Sequence, residues 1–510
     1  MHPFKMGDGP PLFIVQGTGF GCNWYRTLLI GDRTWFRMKS PGFARRWTAR
    51  TPGRVTMKRQ FLNWILVVTA LLLLSLTVTP PFPAHGAATI ATTRPTPVAD
   101  THLLIEALDN EDRDKLAKST PAKILRAIIK GVRIERPEPG TRKEKITGED
   151  GRQSDLWIHV PDARQKKYGL LIMLHGYGGN ARQLLTVAYS KFANKNGYII
   201  VGPNAMKPLS GKSNPDLPPE ILGAPTRHWW TYRSDGLVMA IVDQLAERFP
   251  IDHNRVVLSG MSMGGWGSWN IGMRFPDRFS AIIPFAGGLH MGDYGTETLN
   301  DQYSPLIDNL KWLPSYNVHG NTDNIVPVRF SQMLAEELKS RKYDHTYDEL
   351  DGSGHYLNFD ENGPMMQRVT KWLKPRKRIL HPPEVIHTII SDDHPRQHWL
   401  RIDVRADQKQ PATIRGKIDR KNNIDIESEN VDGFTIFVDN DRLREKSRIT
   451  VTHNGQKVHD GKVKETVEAL IESWKDRRDP YLLHTRMITV DVGVDEDKKE
   501  PDKTKQNAAN

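Results

Sequence analysis

Cysteine is all but missing. One residue, Cys22, serves a chain of 510, so disulfide frameworks, cysteine zinc sites and thiolate nucleophiles drop out for everything that follows it. The lack is neutral on compartment, because oxidising locations permit disulfides without requiring them. Nucleotide-binding glycine motifs and internal repeats are absent as well. Nor is there a basic surface to speak of, despite a formal charge of +12. Residues 1–56 hold nine Lys/Arg against two Asp/Glu, and Lys58 and Arg59 add two more positive charges. The rest is close to neutral with both signs interspersed, which reads as a solvated surface and not as a nucleic-acid footprint. His381, His387, His394 and His398, with Asp392 and Asp393, invite a metal, but only His394 and His398 are four apart and Pro395 between them opposes a helix. The expectation is bland surface histidines, no metal and no cofactor.

Long apolar runs are scarce too; the one that matters is Phe61 to Val78. Met57-Lys58-Arg59-Gln60 precedes it and Pro80-Pro81-Phe82-Pro83-Ala84-His85-Gly86-Ala87-Ala88 follows. A basic start, an apolar middle and a small-residue zone make residues 57–87 a secretory signal. At 18 residues with Asn63, Thr69, Ser75 and Thr77 inside it, the run is short for a span. Membrane contact is expected only if the signal stays uncleaved and 61–78 serves as an anchor. Residues 1–56 sit poorly in front of such a signal and are expected to be a non-native upstream extension, with translation starting at Met57. Residues 88–142 read as a Thr/Pro/Ala-rich linker and a helical pair, with Thr120-Pro121 as a helix start, packing on the main domain.

From residue 143 to 375 strands and helices alternate. Leu156 to Val160 is a strand, and Leu170 to Leu174 is a continuous apolar run fit for a strand covered on both faces. A helix over Ala181 to Asn196, a strand Tyr198 to Val201 and a helix Leu237 to Phe249 come next. Then follow strands at 256–258, 281–285, 315–318 and 346–350, with helices at 328–340 and 364–373. Such alternation predicts an α/β fold, a doubly wound and mostly parallel sheet, whose sites lie beyond the carboxyl ends of the strands.

Four motifs fall there. Gly260-Met261-Ser262-Met263-Gly264 is G-x-S-x-G between a predicted strand and a predicted helix, the pattern of a nucleophile elbow with Ser262 exposed on a strained turn. The glycines leave room for neighbouring backbone, and the Met263 N–H at the helix start is aimed at an oxyanion. His175-Gly176-Tyr177-Gly178-Gly179-Asn180 follows a strand and offers the Tyr177 N–H as the other half of an oxyanion hole. In His319-Gly320-Asn321-Thr322-Asp323, the carboxylate of Asp323 suits the orientation of an imidazole. In Asp351-Gly352-Ser353-Gly354-His355, His355 suits proton transfer. The order Ser, Asp, His along the chain is the hydrolase order. The Pro-rich insert 206–233 carries Trp229 and Trp230, read either as a substrate pocket or as aromatics that pin the loop.

Together, H-G-Y-G-G-N, G-M-S-M-G-G, H-G-N-T-D-N-I-V-P and G-S-G-H resemble an α/β-hydrolase of the serine-esterase kind. The similarity is to polyhydroxyalkanoate-depolymerase/feruloyl-esterase-like and phospholipase/carboxylesterase proteins, and it covers roughly residues 143–375. The resemblance implies a Ser262-Asp323-His355 triad and hydrolysis of a small-molecule or polymeric carboxylic ester through an acyl-enzyme. A prolyl-oligopeptidase-type peptidase shares the fold and the triad order, and an inert hydrolase fold with a glycan-binding module is the reading from outside enzymology. Residues 379–494 alternate with period two and short loops, including Asn454-Gly455, and predict a small antiparallel β-rich domain with possible polysaccharide or surface contact. The charged tail, 495–510, is expected to be disordered. The signal makes the protein secreted or periplasmic.

Overall fold

The computed structural model describes residues 13–19, 22–28, 99–131, 134, 137–184, 187–206, 229, 232–288, 304–360, 362–438, 442–443 and 447–493. The leader 57–87, the linker 88–98, Trp230 and the tail lie outside the described residues. No helix among the described residues is long and apolar enough to cross a membrane. The chain divides into two units, Met1–Ala91 and Thr92–Asn510. In the first, β1 (Phe13–Gly19) and β2 (Cys22–Leu28) pair antiparallel, with Gly19 opposite Cys22.

The second unit opens with α1 (Ala99–Asp109), α2 (Arg113–Leu116) and α3 (Pro121–Lys130). Pro121 occupies the first turn of α3, where its missing N–H costs nothing. The apolar stripe of these helices, including Leu108, Leu116, Ile124 and Ile128, does not cover the main sheet as expected. It packs on Leu470, Ile471 and Trp474 near the other end of the chain.

The main sheet is built from β3 (Gly140–Thr147), β4 (Gln153–Val160), β5 (Tyr168–Leu174), β6 (Tyr198–Pro203), β7 (Ile251–Met261), β8 (Ala281–Phe285), β9 (Ser315–Gly320) and β10 (His345–Leu350). Its order is β10-β9-β8-β7-β5-β6-β4-β3. β6, β5, β7, β8, β9 and β10 run parallel, while at one edge β4 pairs antiparallel with β6, and β3 antiparallel with β4. The helices are α4 (Val187–Asn196), α5 (Tyr232–Arg248), α6 (Met263–Arg274), α7 (Arg329–Ser340) and α8 (Pro364–Leu373). The helix expected over 181–196 begins instead as a 3₁₀ turn, Ala181–Leu184. β5 is buried at every position. Its alternation sends Leu170, Ile172 and Leu174 to one apolar core and Leu171 and Met173 to another, so the sheet is covered on both faces.

The C-terminal part is a sandwich. Its strands are β11 (Glu384–Ile389), β12 (Arg396–Gln397), β13 (Leu400–Arg405), β14 (Ala412–Ile418), β15 (Asn423–Glu429), β16 (Val431–Phe437), β17 (Ile449–His453), β18 (Gln456–Gly461) and β19 (Met487–Asp491), with α9 (Val467–Arg477) before the last. The two sheets are β11-β14-β15-β17-β18 and β12-β13-β16-β19. Pairing is antiparallel, as predicted, except that β15 and β17 run parallel. Asn454 and Gly455, both at positive φ, turn β17 into β18.

Three of the four histidines expected on the surface are not there, and His381 is half-buried. His387, on β11, and His394 and His398, flanking β12, are buried, with the His394 ring against Phe275 just before the Pro276–Arg278 turn. Asp277 in that turn accepts from Arg477 Nε (3.1 Å) and the His398 N–H (2.8 Å). Arg378 pairs with the equally buried Asp479. Burial pushes His387 and His398 down to about 4, with nearby Arg477 adding to it, and holds His394 well below its usual range beside Arg274 and Arg477. Asp277 and Asp479 stay below the usual carboxylate range despite burial, because arginines face them.

The histidine shifts are downward, so the stability tied to them is full above about pH 6.5 and is lost as pH falls toward 4, whereas that of the two carboxylates is lost only at still lower pH. His387 and His398 are each expected to forfeit on the order of 3 kcal/mol by pH 4, and His394 adds a loss of the same sign. Thermal unfolding followed from pH 7 to pH 4 should show a steep fall in Tm. His394 has no ring-nitrogen partner among the described residues, so His394→Leu should flatten that fall. A slope unchanged in this variant would remove His394 from the effect.

Candidate active site

β7, β9 and β10 are parallel strands of one sheet, so their carboxyl ends share one rim, and Ser262, Asp323 and His355 lie just beyond them. At Ser262 the chain turns from β7 straight into α6 with φ 59° and ψ −121°. A non-glycine residue held there costs on the order of 1–3 kcal/mol. Backbone bonds on both sides keep it in place: the Ser262 N–H donates to Phe285 O (2.8 Å), and Ser262 O accepts from Trp266 N (2.9 Å). The flanking glycines are there for space. A Cβ on Gly264 would lie 2.0 Å from Leu174 O, and one on Gly260 would lie 2.5 Å from the Gly264 carbonyl carbon. The strand, the turn and the helix can touch only with hydrogen at both positions.

The His175 loop runs beside Ser262; a Cβ on Gly176 would stand 3.6 Å from Ser262 Cβ, in ordinary contact. Gly178 at φ +68° and a Gly179 N–H to Gly176 O bond (3.0 Å) close the turn that presents Tyr177. His175 is buried, with Nδ1 donating to Gly176 O (2.8 Å) and Nε2 accepting from the Ala205 N–H (3.1 Å). Met263 is the first residue of α6, where an N–H has no acceptor within the helix. Trp229 is fully buried, donates from Nε1 to His175 O (2.8 Å) and lies against Gly267. It pins the His175 loop and leaves no surface to line a pocket.

Asp323 is wholly buried as a side chain and takes four donors. Oδ1 accepts from the Ile325 and Val326 N–H groups at 2.8 and 2.9 Å. Oδ2 accepts from His355 Nδ1 at 2.7 Å and from His319 Nε2 at 3.0 Å. Burial alone would raise this carboxylate; the His355 bond and the two backbone N–H groups outweigh it and hold Asp323 below its usual value. The loops after β9 and β10 are stitched together by Asn321, which donates from Nδ2 to Asp351 Oδ1 and accepts the Gly352 N–H, each at 2.9 Å. Thr322 N also donates to Ser353 O. With Nδ1 engaged, Nε2 is the nitrogen His355 has left for proton transfer. No hydrogen bond joins it to Ser262 Oγ among the described residues. His319, Gly320 and Asn321 are the contributors that the sequence reading passed over, although all three stand inside the motif it quoted.

Residues 158–375 match the family model described as phospholipase/carboxylesterase, so this part of the chain carries the α/β-hydrolase fold. Among curated proteins, 211 residues are 24% identical to a bifunctional acetylxylan esterase/xylanase of Neocallimastix patriciarum, covering 41% of this chain and 27% of that one. A stretch of 144 residues is 25% identical to feruloyl esterase B of Thermothelomyces thermophilus, covering 28% of this chain and 46% of the other. Over 117 residues, 26% are identical to an uncharacterized secreted protein of Arthroderma benhamiae, 20% of this chain and 13% of that one. The chain therefore spans less than half the length of each.

Gly320 offers a direct check on how the two loops meet. A Cβ there would fall 2.2 Å from Ser353 O. Gly320→Ala is expected to lower unfolding stability in urea by about 1–3 kcal/mol, as overpacking against backbone does. A midpoint equal to that of the parent chain would contradict the close approach.

Proposed function

We propose, on the premise that residues 158–375 are an α/β-hydrolase segment of the phospholipase/carboxylesterase family, that the protein hydrolyses carboxylic esters with Ser262, His355 and Asp323. The observation that carries the proposal is the strained, glycine-flanked Ser262 on the same rim as a His355–Asp323 pair at 2.7 Å. His355 Nε2 takes the proton of Ser262 as the oxygen bonds to the acyl carbon. The N–H groups of Met263 and Tyr177 receive the charge that develops on the former carbonyl oxygen. His355 then hands its proton to the departing alcohol, leaving an acyl-enzyme. Water, deprotonated by the same imidazole, releases the acid and restores Ser262. Asp323 keeps the proton of the neutral ring on Nδ1 and stabilises the cation formed in each half-reaction.

Acetylxylan and feruloyl esters are the substrates to try first, because one relative is named an acetylxylan esterase and another a feruloyl esterase. Secretion rests on the basic, apolar and small-residue sequence of 57–87. Residues 143–375 are the proposed catalytic domain, with 379–494 packed onto it.

The test is turnover of p-nitrophenyl acetate together with labelling by a fluorophosphonate. Ser262→Ala should lower kcat/KM by on the order of 10³-fold or more and abolish labelling, with an unchanged circular dichroism spectrum. Comparison with the matching p-nitroanilide separates esterase from peptidase. Faster cleavage of the amide would overturn the ester reading, and undiminished turnover by the alanine variant would remove Ser262 as nucleophile.

A further inference from the structure

The carboxylate of Asp323 carries two imidazoles, and the mechanism above uses one. His319, at the end of β9, is fully buried. Its Nε2 lies 3.0 Å from Asp323 Oδ2 and 3.0 Å from Val326 O. Both oxygens can only accept, so Nε2 bears a hydrogen shared between them. Nδ1 lies 2.7 Å from Ser331 Oγ, on the first turn of α7. In a neutral ring protonated at Nε2, Nδ1 is a lone pair, and the serine hydroxyl donates to it. A second proton is disfavoured by burial, which outweighs the pull of Asp323. The surroundings supply little else that titrates. α7 brings Ser331, the loop after β9 brings Asp323, and the loop after β10 brings His355 and an Asp351 tied to Asn321.

We propose that His319 is a positioning residue: a neutral imidazole, oriented by Ser331, that fixes the Asp323 carboxylate and sets how tightly it holds the His355 cation. The proposal rests on the esterase reading of this site. Two donors share Oδ2. His319 thereby draws off part of the charge that would otherwise serve His355, and it braces the carboxylate against rotation. The same oxygen faces one imidazole held neutral by its environment and another that changes charge in each turnover, a division set by surroundings rather than by residue type.

Removing the His319 N–H has two separable effects. The carboxylate loses a brace, so the imidazole is less well aimed. It also becomes a stronger partner for the His355 cation, which moves the acid limb of kcat/KM to higher pH. A purely structural role predicts lower stability and no such movement.

The experiment compares kcat, KM and the pH profile of kcat/KM on p-nitrophenyl acetate for the full chain and for His319→Leu, His319→Gln and Ser331→Ala. His319→Leu should lower kcat about tenfold or more with KM within about twofold, the mark of misaligned groups and not of lost binding. Its acid limb should rise by about half a pH unit or more. His319→Gln returns an amide N–H near the position of Nε2 and should recover most of both losses. Ser331→Ala frees the tautomer and should show the same changes in smaller measure. Should His319→Leu fail to fold, the glutamine and alanine variants carry the test. An acid limb unmoved in every folded variant, or a glutamine variant as damaged as the leucine one, overturns the role of His319. Fluorophosphonate labelling of the parent chain distinguishes the two levels. A chain whose Ser262 does not label sinks the esterase reading itself, whereas a labelled chain with an unmoved limb sinks only this inference.

Discussion

A carboxylate shut away from water must have its charge matched on every side, and at Asp323 four N–H groups do so. Left unmatched, a buried charge would cost several kcal/mol and would sooner take up a proton than stay ionised. The four donors come from different places: two from the loop that Asp323 itself opens, one from the end of β9, one from the loop after β10. Satisfying one side chain therefore fixes two loops and a strand end relative to one another. Asn321 adds a second fastening between those loops. The position of His355 is a consequence of this arrangement, since its Nδ1 fills the fourth place.

Ser262 is held by other means. Its side chain makes no hydrogen bond among the described residues, and what fixes it is backbone. The positive φ, the bond to Phe285 and the absence of Cβ atoms at 260 and 264 leave the turn one way to run. Ser262 is thus set by sterics and the His355 imidazole by hydrogen bonding. The two arms share the sheet as their frame, since β7 is separated from β9 only by β8.

That difference explains how much could be read from the sequence. Steric requirements leave glycines at fixed spacing, so the elbow stood out as G-M-S-M-G, and the parallel sheet followed from apolar runs such as Leu170 to Leu174. Hydrogen-bonded requirements leave weaker traces. His319 looks like the last residue of a strand, and nothing local says that its ring turns back to a carboxylate four residues on. Trp229 sits in a Pro-rich insert where pocket wall and pin look alike; its bond to His175 O is long-range. The buried histidines were misplaced for a related reason. β11 reads Glu-Val-Ile-His-Thr-Ile, a strand whose polar members face a second part of the chain instead of solvent. The period of a strand says which residues share a face and is silent on what covers it.

What covers it bears on where the hydrolase segment ends. The family match stops at 375, yet the physical unit does not. Asp277 follows directly on α6, the helix that the elbow launches, and the charge opposite it is Arg477 of α9. Arg378, three residues past the match, forms a second buried pair with Asp479, far beyond it. Asn309 exchanges hydrogen bonds with the Thr388 backbone, at 2.7 Å from its N–H and 2.9 Å to its carbonyl. α9 in turn provides the apolar ground for α1, α2 and α3. Groups of this kind are tolerable in an interior only while their partners are present. The sandwich and the N-terminal helices therefore belong to the folding of the hydrolase segment as its counter-charges and cover. The far end of the helix that follows Ser262 is anchored in a part of the chain that the hydrolase family match does not reach.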